Sequence, residues 1–253
     1  MRALALLLLT FVAITASARA QDRASIFEAA LDESDAPTPQ VTTEELIQIL
    51  ADGSATVFDV RPSLEYSISH IPGALNVGPK PGQPISLYTA DVADIGSLVN
   101  GDHAAPIVLY CNGPFCGKSK RVAADLIAAG YENVRRYQLG IPVWRALGGV
   151  AVIEPEGVAY VRAKDETAVF VDAREPAMAA ADAFVGARII PLDEVKAAKD
   201  DGRLPMEDHN TRIIVFGADA ESARAVVESI TANAFHNVTY FDGDLAAFRA
   251  AAH

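Results

Sequence analysis

IVLYCNGPFCGKSKRVAADL, residues 107–126, reads as three segments in turn. The apolar run Ile107–Tyr110 has the branched and aromatic make-up of a buried strand. A short loop follows from Cys111 to Cys116 and includes Gly113 and Pro114. From about Gly117 onward, the pattern KSKRVAADLIAAG describes a helix that Gly130 closes. In a parallel sheet, the loop after a strand's C-terminal end is where ligands and catalysis gather. This loop holds the two cysteines of the 253-residue chain. A cysteine beside a helix N-terminus feels the positive end of the dipole, and Lys118, Lys120 and Arg121 add charge that favours a thiolate. Backbone N–H groups in a tight glycine-containing loop form an anion cradle. Thiolate, cradle and cations together suit attack on an anionic, electrophilic sulfur or phosphorus.

Strands and helices alternate on both sides of this loop. VTTEELIQILADG has Thr42 and Glu45 at capping-box spacing and stops at Gly53, which predicts a helix. ATVFDV predicts a buried strand, SLEYSISH a helix and IPGALNV a turn, followed by the Pro/Gly-rich GPKPGQPISL. NVRRYQL predicts a further strand after the loop helix. The alternation implies βα units, hence an α/β fold with a mostly parallel central sheet flanked by helices.

The second half repeats the first. VFDVRPSLEY at 57–66 returns as VFVDAREPAM at 169–178, with Asp59-x-Arg61 echoed by Asp172-x-Arg174. IPGALNV at 71–77 is echoed by FVGARII at 184–190, and the stretch from Ile107 by IIVFGADAESARAVVESITANAFHNVTYF. Two domains are expected, 41–150 and 151–253, with the break near Gly148–Gly157. Where the first copy has Cys111, the second has Gly217, and Asp219 and Glu221 stand where a cradle should be neutral or basic.

The N-terminal stretch MRALALLLLTFVAITASARA predicts a secretory signal peptide over residues 1–20: basic Arg2, a short apolar centre, and small residues before Gln21. Export to a periplasmic or secreted location follows as an expectation, with no membrane association after cleavage. Residues 21–40, polar and ending in Pro37 and Pro39, read as a linker or arm. The net charge is −12, or −14 once Arg2 and Arg19 leave with the signal. An acidic chain without a long Lys/Arg run argues against nucleic acid as a partner. Export also places the two thiols where a nearby pair can oxidise. The five histidines, His70, His103, His209, His236 and His253, show no ligand spacing with each other or with the thiols, so neither a metal nor another cofactor is expected.

The chain resembles a tandem rhodanese-like (sulfurtransferase) protein. The resemblance rests on DVR at 59–61, EYSISHIPGALNV at 65–77, IVLYC at 107–111, AADLIAAGYENV at 123–134 and GIPVW at 140–144. It covers 40–150 well and 157–250 more weakly. It implies two α/β domains and a catalytic cysteine, by position Cys111, that takes a sulfane sulfur from a small anionic donor such as thiosulfate. The resulting persulfide passes the sulfur to a thiol or cyanide-like acceptor. Asn112, Gly113, Pro114, Phe115, Cys116, Gly117, Lys118 and Ser119 are then the substrate-binding loop, with Arg61, His70, Lys120 and Arg121 as accessory candidates. The second domain, without a cysteine, is expected to be inactive and is a candidate surface for a protein partner.

The loop departs from the family pattern in two ways. It is about two residues longer, and Lys118 stands where an arginine is usual, keeping the charge without the planar fork that grips oxyanions. That arginine is also what phosphatase relatives depend on. Cys116 has three readings: a resolving thiol that attacks a Cys111 persulfide or sulfenate, an oxidative switch, or a buried spectator. A role swap with Cys116 as nucleophile is a further alternative, as is a thiol redox or sulfur-sensing protein that cycles a Cys111–Cys116 disulfide, or a non-catalytic interaction module. Asp59 and Arg61 read as a structural pair, because the pair recurs where the cysteine does not. Trp144 reads as a packing anchor.

Overall fold

The computed structural model describes residues 25–31, 35–78 and 92–252. The expected signal peptide, and all but the first residue of GPKPGQPISL, lie outside the described residues.

The first half runs α1 (Thr43–Asp52), β1 (Thr56–Asp59), α2 (Ser63–Ile68), β2 (Leu75–Asn76), α3 (Val92–Leu98), β3 (Ile107–Tyr110), α4 (Gly117–Ala128), β4 (Val134–Tyr137) and α5 (Gly140–Ala146). The capping box forms as the sequence predicts. The Glu45 amide donates to Thr42 Oγ1 at 3.1 Å, and the Thr42 amide donates to Glu45 Oε2 at 2.8 Å. Gly53 ends α1 in the left-handed region at φ 65°, which a side chain would strain. The turn expected in IPGALNV is there at Pro72–Gly73, but it runs straight into β2, whose Leu75 and Asn76 pair with Phe58 and Asp59. Two residues are too few to show a strand period, so the sequence reads only the turn.

The strands pair in the order β2-β1-β3-β4, all parallel. Because helices cover both faces, β3 is buried along its whole length, as an all-parallel sheet requires. Ile107 and Leu109 face a core with Val122, Ala123 and Leu126 of α4. Val108 and Tyr110 face the other core with Leu46, Ile49 and Trp144. The end of the expected arm is part of this layer: Gln40 bridges to Arg136, and the Arg136 amide donates to the Pro39 carbonyl at 3.1 Å.

The second half runs β5 (Val152–Ile153), α6 (Pro155–Lys164), β6 (Val169–Asp172), α7 (Pro176–Ala181), β7 (Arg188–Ile189), α8 (Val195–Asp200), β8 (Ile213–Phe216), α9 (Ala220–Thr231), β9 (Val238–Phe241) and α10 (Leu245–Ala252). Its sheet is ordered β5-β9-β8-β6-β7 and is also parallel. The two orders superimpose in sense, with the Gln40 bridge in the place of β5. The halves pack through α2 and α6. Gly157 lies so close to the Ser67 carbonyl that a Cβ would strike it, and the Glu154 amide donates to that same oxygen at 2.7 Å. Among the described residues, no helix is long and apolar enough to cross a membrane.

Candidate active site

Cys111 follows directly on β3, and the loop to Cys116 delivers the chain into α4. Two contacts fix the loop's shape. The Cys116 amide donates to the Gly113 carbonyl at 3.0 Å, and the Ile141 amide donates to the Cys111 carbonyl at 3.2 Å. Gly140 makes the second contact accessible: it sits at φ 66°, and a Cβ there would run into the Cys111 carbonyl oxygen and the Gly113 nitrogen. The glycine of GIPVW thus serves the cysteine loop, a role the sequence alone did not reveal because the two segments are distant in the chain.

The loop borders a cleft of about 520 Å³ lined by Arg61, Pro62, Glu65, Asn112, Cys116, Gly117, Lys118 and Arg121. Cys111 is 2 % exposed and belongs to the core behind the cleft. Cys116, partly buried, is the sulfur on the cleft side. The two are joined as a disulfide with their Cα atoms 6.5 Å apart. Cys116 is the N-cap of α4 and provides no side-chain cap. The first-turn N–H groups of that twelve-residue helix are therefore not consumed by a cap, and they carry the positive end of its dipole. Lys118 is half-buried in the cleft; burial, then the nearby charge of Arg121, pushes its ammonium down to about 8.

The remaining loop residues divide. Asn112, Gly117, Lys118 and Cys116 face the cleft together with the accessory candidates Arg61 and Arg121. Gly113 is buried and shapes the turn at φ 97°, whereas Pro114 and Phe115 project outward, Phe115 fully exposed. Ser119 turns the other way: it is buried under α4, where its Oγ accepts from Arg136 Nε at 3.4 Å. Its position on the helix carries it away from the face that meets the cleft. Lys120 also points elsewhere and pairs with Asp35 at 2.8 Å.

His70 does not approach the loop. It stacks on Tyr66 with ring centroids 3.8 Å apart, its Nδ1 is 3.1 Å from the Tyr66 carbonyl, and its Nε2 is 3.6 Å from Glu154 in the second half. The reason is α2, whose N-terminal part offers Glu65 to the cleft while its C-terminal end delivers Ser67–His70 to the other half.

Arg61 reaches the cleft rim but is held: Nε donates to both oxygens of Asp59 at 3.0 Å, and Nη2 donates to Asp59 Oδ2 at 2.5 Å and to the Ser69 carbonyl at 2.6 Å. Arg174 and Asp172 repeat the arrangement, with Nη2 on Oδ2 at 2.6 Å and on the Asp182 carbonyl at 2.9 Å. The structural-pair reading of the Asp-x-Arg triplets is the geometry found. Trp144 is likewise a packing residue, its Nε1 donating to the Val150 carbonyl at 2.8 Å.

Glu65 is the cleft residue that sequence reasoning missed; its Oε2 accepts from Asn112 Nδ2 at 2.5 Å. This pair lashes the cysteine loop to α2 and places one carboxylate among the cations. Its signal was the acidic residue in SLEYSISH, one turn after the Asp-x-Arg pair.

The equivalent point of the second half is built differently. Gly217 follows β8, but only Ala218 and Asp219 separate it from α9. Asp219 caps that helix, accepting from the Ser222 amide at 2.8 Å. A carboxylate thus occupies the helix N-terminus that α4 leaves open. A Cβ on Gly217 would come within 2.5 Å of Ser222 Oγ, so the short loop has no room for a side chain there. All residues lining the cleft described above come from the first half.

Residues 42–147 match the family model described as a rhodanese-like domain. Over 140 residues the chain is 36% identical to an HTH-type transcriptional regulator of Mycobacterium tuberculosis, a match covering 54% of each protein. The chain thus spans about half the length of that curated relative. Among solved structures it is similar to a thiosulfate sulfurtransferase from Pseudomonas aeruginosa, at 20% identity and a TM-score of 0.35, covering 82% of this chain and 41% of that one. It is also similar to a rhodanese-like domain from Anabaena, at 24% identity and a TM-score of 0.35, covering 46% of this chain and 79% of that one.

Proposed function

We propose that the rhodanese-like domain at residues 42–147 is a sulfurtransferase in which Cys111 carries the sulfur. The observation that supports it is the placement of Cys111 at the end of the central strand β3, against the uncapped N-terminus of α4 and a cleft containing Lys118 and Arg121. With the disulfide reduced, the Cys111 thiolate takes the outer sulfur of a small anionic donor such as thiosulfate. The first-turn N–H groups and Lys118 hold the donor's oxyanion, and a thiol or cyanide-like acceptor then removes the sulfur. Asn112, Gly117 and Arg121 contribute to the pocket, whereas Ser119, Lys120 and His70 act outside it.

The second half is a cysteine-less counterpart of the first that stabilises α2 and offers a surface to a protein partner. Residues 1–20 direct export, and the protein works in a periplasmic or secreted setting. The bonded Cys111–Cys116 pair favours a second reading, a thiol redox or sulfur-sensing protein; the transcriptional regulator among its relatives is in keeping with sensing.

The test is thiosulfate:cyanide turnover by the reduced full chain, with mass spectrometry after donor treatment. A one-sulfur adduct on Cys111 is expected. No adduct with any of several sulfane donors, together with a pair that cycles between dithiol and disulfide, would establish the second reading instead.

A further inference from the structure

The geometry points to a self-contained persulfide reduction: Cys116 resolves the sulfur-loaded Cys111, releases it as hydrosulfide, and leaves the Cys111–Cys116 disulfide. This rests on the sulfurtransferase reading above and names the acceptor that reading leaves open, a residue of the same loop.

Three observations carry it. Cys116 is within bonding reach of Cys111 without any rearrangement of the fold, because the structure shows the two sulfurs joined. The sulfurs are not equivalent: Cys111 is 2 % exposed in the core, while Cys116 lines the cleft beside Lys118 and Arg121. Cys116 is also the N-cap of the twelve-residue α4, the position at which a helix most favours a thiolate. An attacking thiolate therefore stands on the solvent side of a loaded, shielded sulfur.

The step balances. Thiosulfate gives its outer sulfur to the Cys111 thiolate and leaves as sulfite, so Cys111 holds a persulfide. The Cys116 thiolate attacks Cys111 Sγ; the new bond is Sγ–Sγ, and the bond that breaks joins Cys111 Sγ to the sulfane sulfur. That sulfur leaves with the electron pair as hydrosulfide. Two electrons have passed from the two thiols to the sulfane sulfur, and the disulfide is the oxidised product. An external dithiol closes the cycle by attacking the accessible Cys116 Sγ, forming a mixed disulfide there and expelling Cys111 as thiolate. The structure corresponds to the state before that attack.

The experiment uses the full chain, reduced with a dithiol and desalted, then treated with thiosulfate in the absence of any thiol. Sulfite release reports loading, and hydrosulfide release reports resolution. The native protein is expected to release about one equivalent of each and to end as the disulfide. Cys116→Ser is expected to retain the extra sulfur on Cys111 and to release at least about tenfold less hydrosulfide per sulfite than the native protein, until thiol is added.

Sulfite release with a lasting persulfide on native Cys111, and no hydrosulfide, overturns the inference and leaves the sulfurtransferase reading intact. An extra sulfur found on Cys116 also overturns it, since the sulfur would then be relayed rather than reduced. No sulfite and no adduct from thiosulfate or a glutathione persulfide sinks both.

Discussion

His70 and Val152 exchange both backbone hydrogen bonds, the His70 amide donating at 3.0 Å and the Val152 amide at 2.9 Å, in an antiparallel bridge between the two halves. The bridge buries the His70 ring against Tyr66, and burial pushes the ring down to about 4, against a lesser opposing pull from the Tyr66 carbonyl. An unfolded chain takes up this proton near pH 6.5, whereas the folded one does so only near 4. The neutral ring's contribution is therefore complete above about pH 6.5 and is lost as the pH falls towards 4, amounting to roughly 2–3 kcal/mol. Urea unfolding at about pH 7 and about pH 4.5 checks this. The native protein is expected to lose more stability than His70→Gln over that interval, and equal losses would clear His70 of the effect.

Lys118 predicts a second pH dependence of opposite sense. Its ammonium, held down to about 8 by burial, is charged below that pH and neutral above it. The KM for thiosulfate is expected to rise severalfold between about pH 7 and about pH 9, with the change confined to KM rather than kcat. Lys118→Arg should flatten that rise, because a guanidinium stays charged. Lys118→Ala should raise KM at about pH 7 by about tenfold, the value of one charge-assisted contact. A KM that ignores both pH and substitution would show that the donor binds elsewhere.

Cys111→Ser is expected to abolish sulfur loading, lowering kcat/KM by about 10³-fold or more, with the far-UV circular dichroism spectrum unchanged. The residue sits in the core as a small side chain, so serine leaves no sizeable cavity.

Installing the missing thiol in the second half is expected to fail. Gly217→Cys places Cβ against Ser222 Oγ in a loop two residues long, and about 1–3 kcal/mol of destabilisation is expected. No adduct should form at that position even when Cys111 is loaded, because the Asp219 carboxylate occupies the helix N-terminus. An adduct on the new cysteine would show that the loop adapts.

The paired Arg61–Asp59 and Arg174–Asp172 contacts predict equal treatment of unequal halves. Both pairs are nearly fully buried, so Arg61→Ala and Arg174→Ala each strand a buried carboxylate at a cost of about 3–5 kcal/mol. Thermal unfolding should show similar losses, and whatever remains folded of Arg174→Ala should keep the donor KM. A loss for Arg61→Ala alone would mark it as a site residue.

Local physics in the sequence determined the first helix and its cap at Thr42 and Glu45, the buried strand ending just before Cys111, the helix beginning just beyond Cys116, and the doubled βα pattern. Each of these depends on neighbours within one turn or one strand, and such neighbours are adjacent in the text. Tertiary structure alone decided which side of α4 each residue meets. Lys118 faces the cleft, whereas Ser119 is turned under it to Arg136 and Lys120 outward to Asp35, although the three are consecutive. It also decided that Glu65 ties down Asn112, that Gly140 makes room for the loop, and that His70 serves the junction between the halves. These are relations between segments tens of residues apart, fixed by how the sheet brings its strand ends together. The two thiols of CNGPFC were legible from the start. That Cys111 lies behind and Cys116 in front became visible only once β3 was buried on both faces.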